Sequence, residues 1–439
     1  MRIKKRESTA ILNSLSGGVV PSRGLHHIMV GRTDEAEQIL KDLENVKKGS
    51  SLVKFFIGSF GSGKSFVQAL TQQIAFKENF VVAKADFTPE RRLYGSEGKA
   101  VATYSELMKN MATATKPEGN ALGSILEKWI SEVQIKVMHE KGHGSVGFDD
   151  PSFVRDVEQE IGEVVANMDD LTGGFDFSRV LTLYFRGFIE DNGDLQRNAL
   201  RWMRGEYRTR TEARTDLGVR GIIEDYTYYD YLKVFAKFVQ QIGYAGLVVN
   251  FDEAINLYKI TNPHTRDKNY ESILKIYNDA LQGNVEGLYI TFGGTPEFLE
   301  DERRGMFSYG ALKRRLESNR FETTEFRDLS QPVVKLTPLN HNDIFLLLTK
   351  LQDVHAVHHD YEVKIVRDEI AFFLKTEFAR PGAAENNTVG DIIRNFLGAM
   401  NIIHQNPTFN REEIFGNADK AIEKETESTV SSRFASLEG

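Results

Sequence analysis

Gly58-Ser59-Phe60-Gly61-Ser62-Gly63-Lys64-Ser65 decides how this chain is read. Leu52-Val53-Lys54-Phe55-Phe56-Ile57 before it has the apolar run of a buried strand, and Phe66-Val67-Gln68-Ala69-Leu70 after it opens a helix with apolar spacing. Strand, glycine loop and helix form the setting in which such a loop cradles phosphates. The glycines let backbone N–H groups turn inward at a helix N-terminus, where partial positive charge favours an anion. On this reading Lys64 reaches the β- and γ-phosphates, the Ser65 hydroxyl ligates magnesium, and Gly58 through Phe66 line the nucleotide. The alternative, an ordinary glycine turn, requires neither the Lys-Ser pair nor the two flanks.

The chain of 439 residues suits two or three domains, or one with a large insertion. Its 41% apolar content is ample for a core, and its formal charge of -8 does not describe a general polycation. There is no cysteine, so disulfides, thiolate nucleophiles and cysteine-held metal centres are excluded. No run reaches membrane-spanning length, and no apolar stretch follows the basic start to make a secretory signal. A cytoplasmic protein with no membrane partner is expected.

Far downstream, Leu247-Val248-Val249-Asn250-Phe251 reads as a strand that delivers Asp252 and Glu253 at its end. Asp252 can orient magnesium through bound water, and Glu253 can polarise the attacking water. Two caps after a core strand are the plainer alternative. Lys64 and Asp252 are 188 positions apart. Val81–Asp86 is another short strand, and residues 103–241 read as a mainly helical insertion. Leu288-Tyr289-Ile290-Thr291-Phe292 is a further strand, with Thr291, or else Thr295, placed to sense the γ-phosphate. Arg303, Arg304, Arg314, Arg315 and Arg320 follow. Arg315, then Arg314, is the choice for a finger that completes a neighbour's site, which implies a homo-oligomer. Surface solvation is the plain reading of each.

Within the insertion, Arg197, Arg201, Arg204, Arg208, Arg210, Arg214 and Arg220 surround Trp202 and Tyr207, a pattern that can hold a nucleic-acid backbone and stack bases. It can equally solvate a helix face, since Glu206, Glu212 and Asp216 dilute the charge. Tyr226, Tyr228, Tyr229 and Tyr231 read as core or interface filling. His139-Glu140-Lys141-Gly142-His143 formally matches a zinc-protease pattern, but the glycines end the helix and no third ligand is evident. His355, His358 and His359 have no clear acidic partner and read as solvent-facing or capping.

Together these segments resemble the AAA+ class near its origin-recognition and transposition-helper branches, and more specifically the ATP-binding proteins of BREX-type phage defence. Val20-Pro21-Ser22-Arg23-Gly24-Leu25, Val30-Gly31-Arg32-Thr33-Asp34-Glu35, Asp86-Phe87-Thr88-Pro89-Glu90-Arg91-Arg92-Leu93 and Leu200-Arg201-Trp202-Met203-Arg204-Gly205-Glu206 carry the likeness. The resemblance implies an α/β fold: a P-loop, AAA+-like core over 1–332 containing the insertion, then a helical C-terminal lid over about 333–408. Residues 409–439 read as a polar tail. It further implies ATP and Mg2+ as cofactors, ATP hydrolysis, Gly31 and Arg32 near the adenine, and DNA or other defence proteins as partners. In one respect the chain departs from the class. Relatives often carry a lid arginine where this chain has Gly390, so Arg394 or Arg380 substitutes, or the protein is a slow nucleotide-dependent scaffold or switch. No tandem motor pattern or acidic nuclease cluster supports an autonomous helicase or nuclease.

Overall fold

The computed structural model describes residues 3–141, 150–166, 168, 173–323, 326–362, 365–379, 388–406, 408 and 410–415. The first elements are α1 (Lys5–Ser16), α2 (Leu25–Ile28), α3 (Thr33–Lys47), β1 (Leu52–Ile57), α4 (Lys64–Lys77) and β2 (Val81–Asp86). A helical stretch follows: α5 (Lys99–Lys109), α6 (Leu122–Glu140), α7 (Pro151–Ala166), α8 (Gly174–Ile189), α9 (Gly193–Met203), α10 (Arg210–Leu217) and α11 (Tyr228–Gln241). Then come β3 (Leu247–Asp252), α12 (Ile255–Tyr258), α13 (Pro263–Leu281), β4 (Leu288–Gly294), α14 (Pro296–Glu300), α15 (Gly310–Leu316) and β5 (Val333–Lys335). The last are α16 (His341–His359), α17 (Arg367–Ala379), α18 (Val389–Gln405) and α19 (Glu412–Phe415).

The described residues form a mixed α/β structure with one five-stranded sheet in the order β2-β3-β4-β1-β5, every pairing parallel. Parallel strands are covered on both faces, which is why β1, β3 and β4 are apolar almost throughout. Register is fixed by a row of phenylalanines. Phe55 stacks on Phe292, Phe292 on Phe251 and Phe251 on Phe87, each pair with ring centroids 5.1 Å apart. A one-residue slip of any strand would turn its ring to the opposite face. Lys54 is the polar exception inside β1. Its ammonium donates to the carbonyls of Leu329, Ser330 and Gln331 at 2.8 Å each and lies 3.5 Å from Asp42. The turn that leads into β5 is thereby tied to β1. The sequence reading found four of these strands and missed β5, whose three residues are too few to show a period.

The chain divides into two compact units. The sheet unit comprises Asp34–Gly58 and Leu70–Leu336. Its apolar core runs without a break from the strands into the inserted helices, through contacts such as Trp129 and Phe177 on Phe238, and Trp202 on Tyr231. The terminal unit comprises Met1–Thr33, Ser59–Ala69 and Thr337–Gly439. Ile11 and Leu12 of α1, Leu25 and Ile28 of α2, Leu348 and Leu351 of α16, Phe373 of α17 and Phe396 of α18 share its core. Among the described residues no helix is long and apolar enough to cross a membrane.

Of the α16 histidines, His355 departs from the expectation of a solvent-facing or capping role. His355 is buried, with Nδ1 on the Tyr361 hydroxyl at 2.7 Å and Nε2 on Asn401 Oδ1 at 3.1 Å. His359 and His404 crowd its ring. Burial lowers its pKa from 6.5 to about 4; the Asn401 bond opposes this and the neighbouring histidines add to it. Above pH 6.5 the ring is neutral whether the chain is folded or not. Between 6.5 and about 4 only the unfolded chain takes up the proton, so stability falls as pH is lowered through that window. Urea melts at pH 7 and pH 4.5 should therefore differ by up to about 3 kcal/mol from this group, and His355→Gln should flatten that dependence. An equal pH slope in the variant would remove the histidine as its source.

Candidate functional site

In the terminal unit, the loop from Ser59 is shaped by its own backbone. Gly61 and Gly63 hold φ of 78° and 89°, where a side chain is strained. The Ser62 N–H donates to the Ser59 carbonyl at 3.2 Å, and the Val67 N–H to the Gly63 carbonyl at 3.0 Å, which starts α4. A Cβ on Gly61 would come within 3.2 Å of Thr388 Cβ, so the loop packs closely on the residue that caps α18. Lys64 lies over the loop, its ammonium donating to the Ser59 carbonyl at 2.9 Å. Ser65 and Phe60 are exposed, and Phe66 packs partly on the terminal core.

Arg32 is the residue whose placement most exceeds the sequence reading. It is buried at 3% exposure, and its Nη2 donates to the Ser62 carbonyl at 2.7 Å and the Thr337 carbonyl at 2.6 Å. The guanidinium thus ties the segment after α2, the glycine loop and the segment leading into α16 to one charge. It braces the loop and adds positive charge to that of Lys64 and the N-terminus of α4. Gly31 precedes it at φ 63°, where a Cβ would come within 3.1 Å of Asp343 and Leu339 side-chain atoms. Only glycine passes the chain through that gap without displacing them.

In the sheet unit, parallel pairing puts the C-terminal ends of β1, β3 and β4 on one edge. Gly58 extends the ladder, its N–H donating to the Gly294 carbonyl at 3.1 Å. Phe55, Phe292 and Phe251 share one register level. Asp252 therefore ends β3 two strands from β1, which places it about 12 Å from Gly58 by ordinary strand spacing and rise. Glu253, exposed, adopts φ 55°, a left-handed conformation costing about 1–2 kcal/mol in a residue with a Cβ. Its N–H donates to Asp252 Oδ1 at 2.8 Å, and the Ala254 N–H donates to the Gly293 carbonyl at 3.0 Å. These bonds hold the two carboxylates in a turn fixed to β4.

The two sensing candidates separate clearly. Thr291 is fully buried in mid-strand, and its hydroxyl donates to Asn250 Oδ1 at 2.8 Å. Thr295 stands just past the end of β4, and its Oγ1 is buried without a hydrogen-bond partner among the described residues. The sequence reading ended this strand at Phe292 and so put Thr291 at its end, whereas β4 runs on to Gly294. Arg314 and Arg315 are exposed on α15, opposite buried Leu312 and Leu316, and Arg315 Nη1 donates to the Ala311 carbonyl of the same helix. Arg304 lies over the Tyr258 ring and donates to the Tyr258 carbonyl at 3.3 Å.

The basic segment of the insertion loses its aromatic readers. Trp202 is 1% exposed and donates to the Gly221 carbonyl, while Tyr207 is 4% exposed and bonded to Asp216. Arg201 pairs with Glu212, Arg210 with Glu224 and Arg197 with Asp194. Tyr228, Tyr229 and Tyr231 are buried as expected, but Tyr226 is 70% exposed. In the terminal unit Arg394 pairs with Asp391 on α18; Arg380 lies outside the described residues. So do His143, the end of the protease-like pattern, and residues 416–439 of the tail.

The family model described as BREX system ATP-binding protein BrxC/D matches residues 3–419 of the chain. No curated protein matches it. The geometry of Arg32 sets a test. Arg32→Met keeps the aliphatic stem but removes two charge-assisted bonds, each worth about 1.5–3 kcal/mol. With the fold intact by circular dichroism, affinity for a fluorescent ATP analogue should fall roughly tenfold to a hundredfold, and Arg32→Lys should recover only part of it. Unchanged affinity in both variants would show that the loop needs no brace.

Proposed function

We propose, from the premise that this chain belongs to the family of BREX system ATP-binding proteins, that it is a magnesium-dependent ATPase whose cycle drives assembly or remodelling in phage defence. One observation supports the reading: Gly58, where the glycine loop begins, stands at the same end of the parallel sheet as Asp252 and a backbone-strained Glu253. Loop N–H groups and Lys64 bind the β- and γ-phosphates, with the Arg32 charge behind them. The Ser65 hydroxyl and the Asp252 carboxylate are hard oxygen donors suited to Mg2+, which when bound neutralises phosphate charge. Glu253 orients the attacking water and accepts its proton as the bond to the γ-phosphorus forms and the bond from that phosphorus to the β,γ-bridging oxygen breaks, releasing ADP. Thr295, with its unpaired buried hydroxyl, suits γ-phosphate sensing better than Thr291.

In this reading the P-loop core of AAA+ type carries the helices of 103–241 as its insertion, and the helices within 333–408 act as a lid. Arg315 or Arg314, on an exposed helix face, reaches the site of a neighbouring copy, and other defence proteins are the expected partners. DNA remains a candidate partner, although burial of Trp202 and Tyr207 argues against base stacking there. The second reading, a scaffold or switch with little turnover, is favoured by Gly390 and by the engagement of Arg394 with Asp391.

ATP turnover measured against protein concentration, with and without duplex and single-stranded DNA, distinguishes them. Shared sites give a steep rise in specific activity with concentration. Glu253→Gln should lower turnover by about 10²–10⁴-fold while ATP affinity stays within a factor of about two. Turnover at the normal rate in that variant would remove the water-orienting role. A basal rate that neither assembly nor DNA raises would favour the scaffold.

A further inference from the structure

The neighbouring histidines His26 and His27 play no part in the site above. Successive residues on a helix point about 100° apart, so adjacent imidazoles ordinarily diverge. On α2 their ring centroids are only 3.9 Å apart, tilted by 43°. Ligand-capable atoms of Glu7, His26 and His27 all lie within 4.8 Å of one another, the sole such group of three among the described residues. The backbone enforces this convergence. Gly24 has φ 77°, and a Cβ there would come within 2.9 Å of Ile11 Cδ1 and 3.3 Å of Glu7 Cβ. Glycine therefore lets the start of α2 lie directly on α1. Leu25 and Ile28, both buried, pin the turn, and His27, 5% exposed, presents Nε2 to Glu7 Oε2 at 3.3 Å.

We infer that Glu7, His26 and His27 form a binding site for a first-row divalent cation of zinc type. Two imidazole nitrogens and one carboxylate oxygen are a donor set for such ions. Two ligands about 2.0–2.1 Å from a tetrahedral ion stand about 3.3 Å apart, the spacing that Glu7 and His27 already have. His26 lies at the surface, which leaves the remaining position to water. The ion fastens α1 to α2, four residues before Arg32, and so stiffens the segment that braces the phosphate loop.

The test uses the full chain, freed of metal by chelation and kept free of nucleotide. Zinc is titrated by calorimetry against a competing chelator, and cobalt by its visible absorption. One equivalent should bind, and zinc should raise the melting temperature. His26→Ala, at the surface, and Glu7→Gln, which retains a cap for α1, should each weaken binding at least tenfold without changing the metal-free melt. His26→Gln provides a second surface variant if the alanine alters folding. The double variant His359→Ala/His404→Ala should bind as the wild type does. No saturable uptake, uptake indifferent to residues 7 and 26, or uptake lost only in the double variant would each overturn the site.

Discussion

A buried parallel strand that ends in a glycine loop is the constraint on which the rest depends. β1 is hydrogen-bonded on both sides, to β4 and β5, so its direction and height in the sheet are fixed. The phenylalanine row adds a second lock, because each ring finds its neighbour only in one register. Where pairing stops, backbone N–H groups need other partners. The positive φ of Gly61 and Gly63 gives the chain beyond Gly58 a turn that a residue with a Cβ would strain to make.

The polar residues inside the apolar layers act as fasteners. Lys54 satisfies three carbonyls of the turn before β5, at the cost of burying an ammonium whose pKa burial lowers and Asp42 raises. Arg32 performs the corresponding task in the terminal unit, joining Ser62 to Thr337. Breaking such a pair strands a buried charge, so each fastener is costly to lose even where it adds little net stability. Both join segments hundreds of positions apart, and both occur beside the loop or its strand. This distribution suits a protein whose binding surface is assembled from distant pieces of chain.

Glu253 holds a backbone conformation set against its local preference. Glutamate gains nothing from a left-handed backbone, yet bonds to Asp252 and Gly293 keep the turn there. The inserted helices follow the opposite logic. Arg197, Arg201 and Arg210 are held in ion pairs, and Trp202 and Tyr207 are shielded from solvent.

The sequence by itself determined the local features: the strand–loop–helix around Lys64, the acidic end of β3, and the helical periods of the insertion. Each is written in a run of neighbouring residues, where spacing and apolar pattern dictate the backbone. Tertiary structure alone decided what depends on distant partners. It made β5 a strand by giving three residues a place beside β1, and drew the first 33 residues into a core with the C-terminal helices. It buried His355, turned Arg32 toward two carbonyls, and brought Glu7 to a pair of histidines. Those outcomes rest on hydrogen-bond satisfaction and packing between segments far apart in the chain, which no local window of sequence contains.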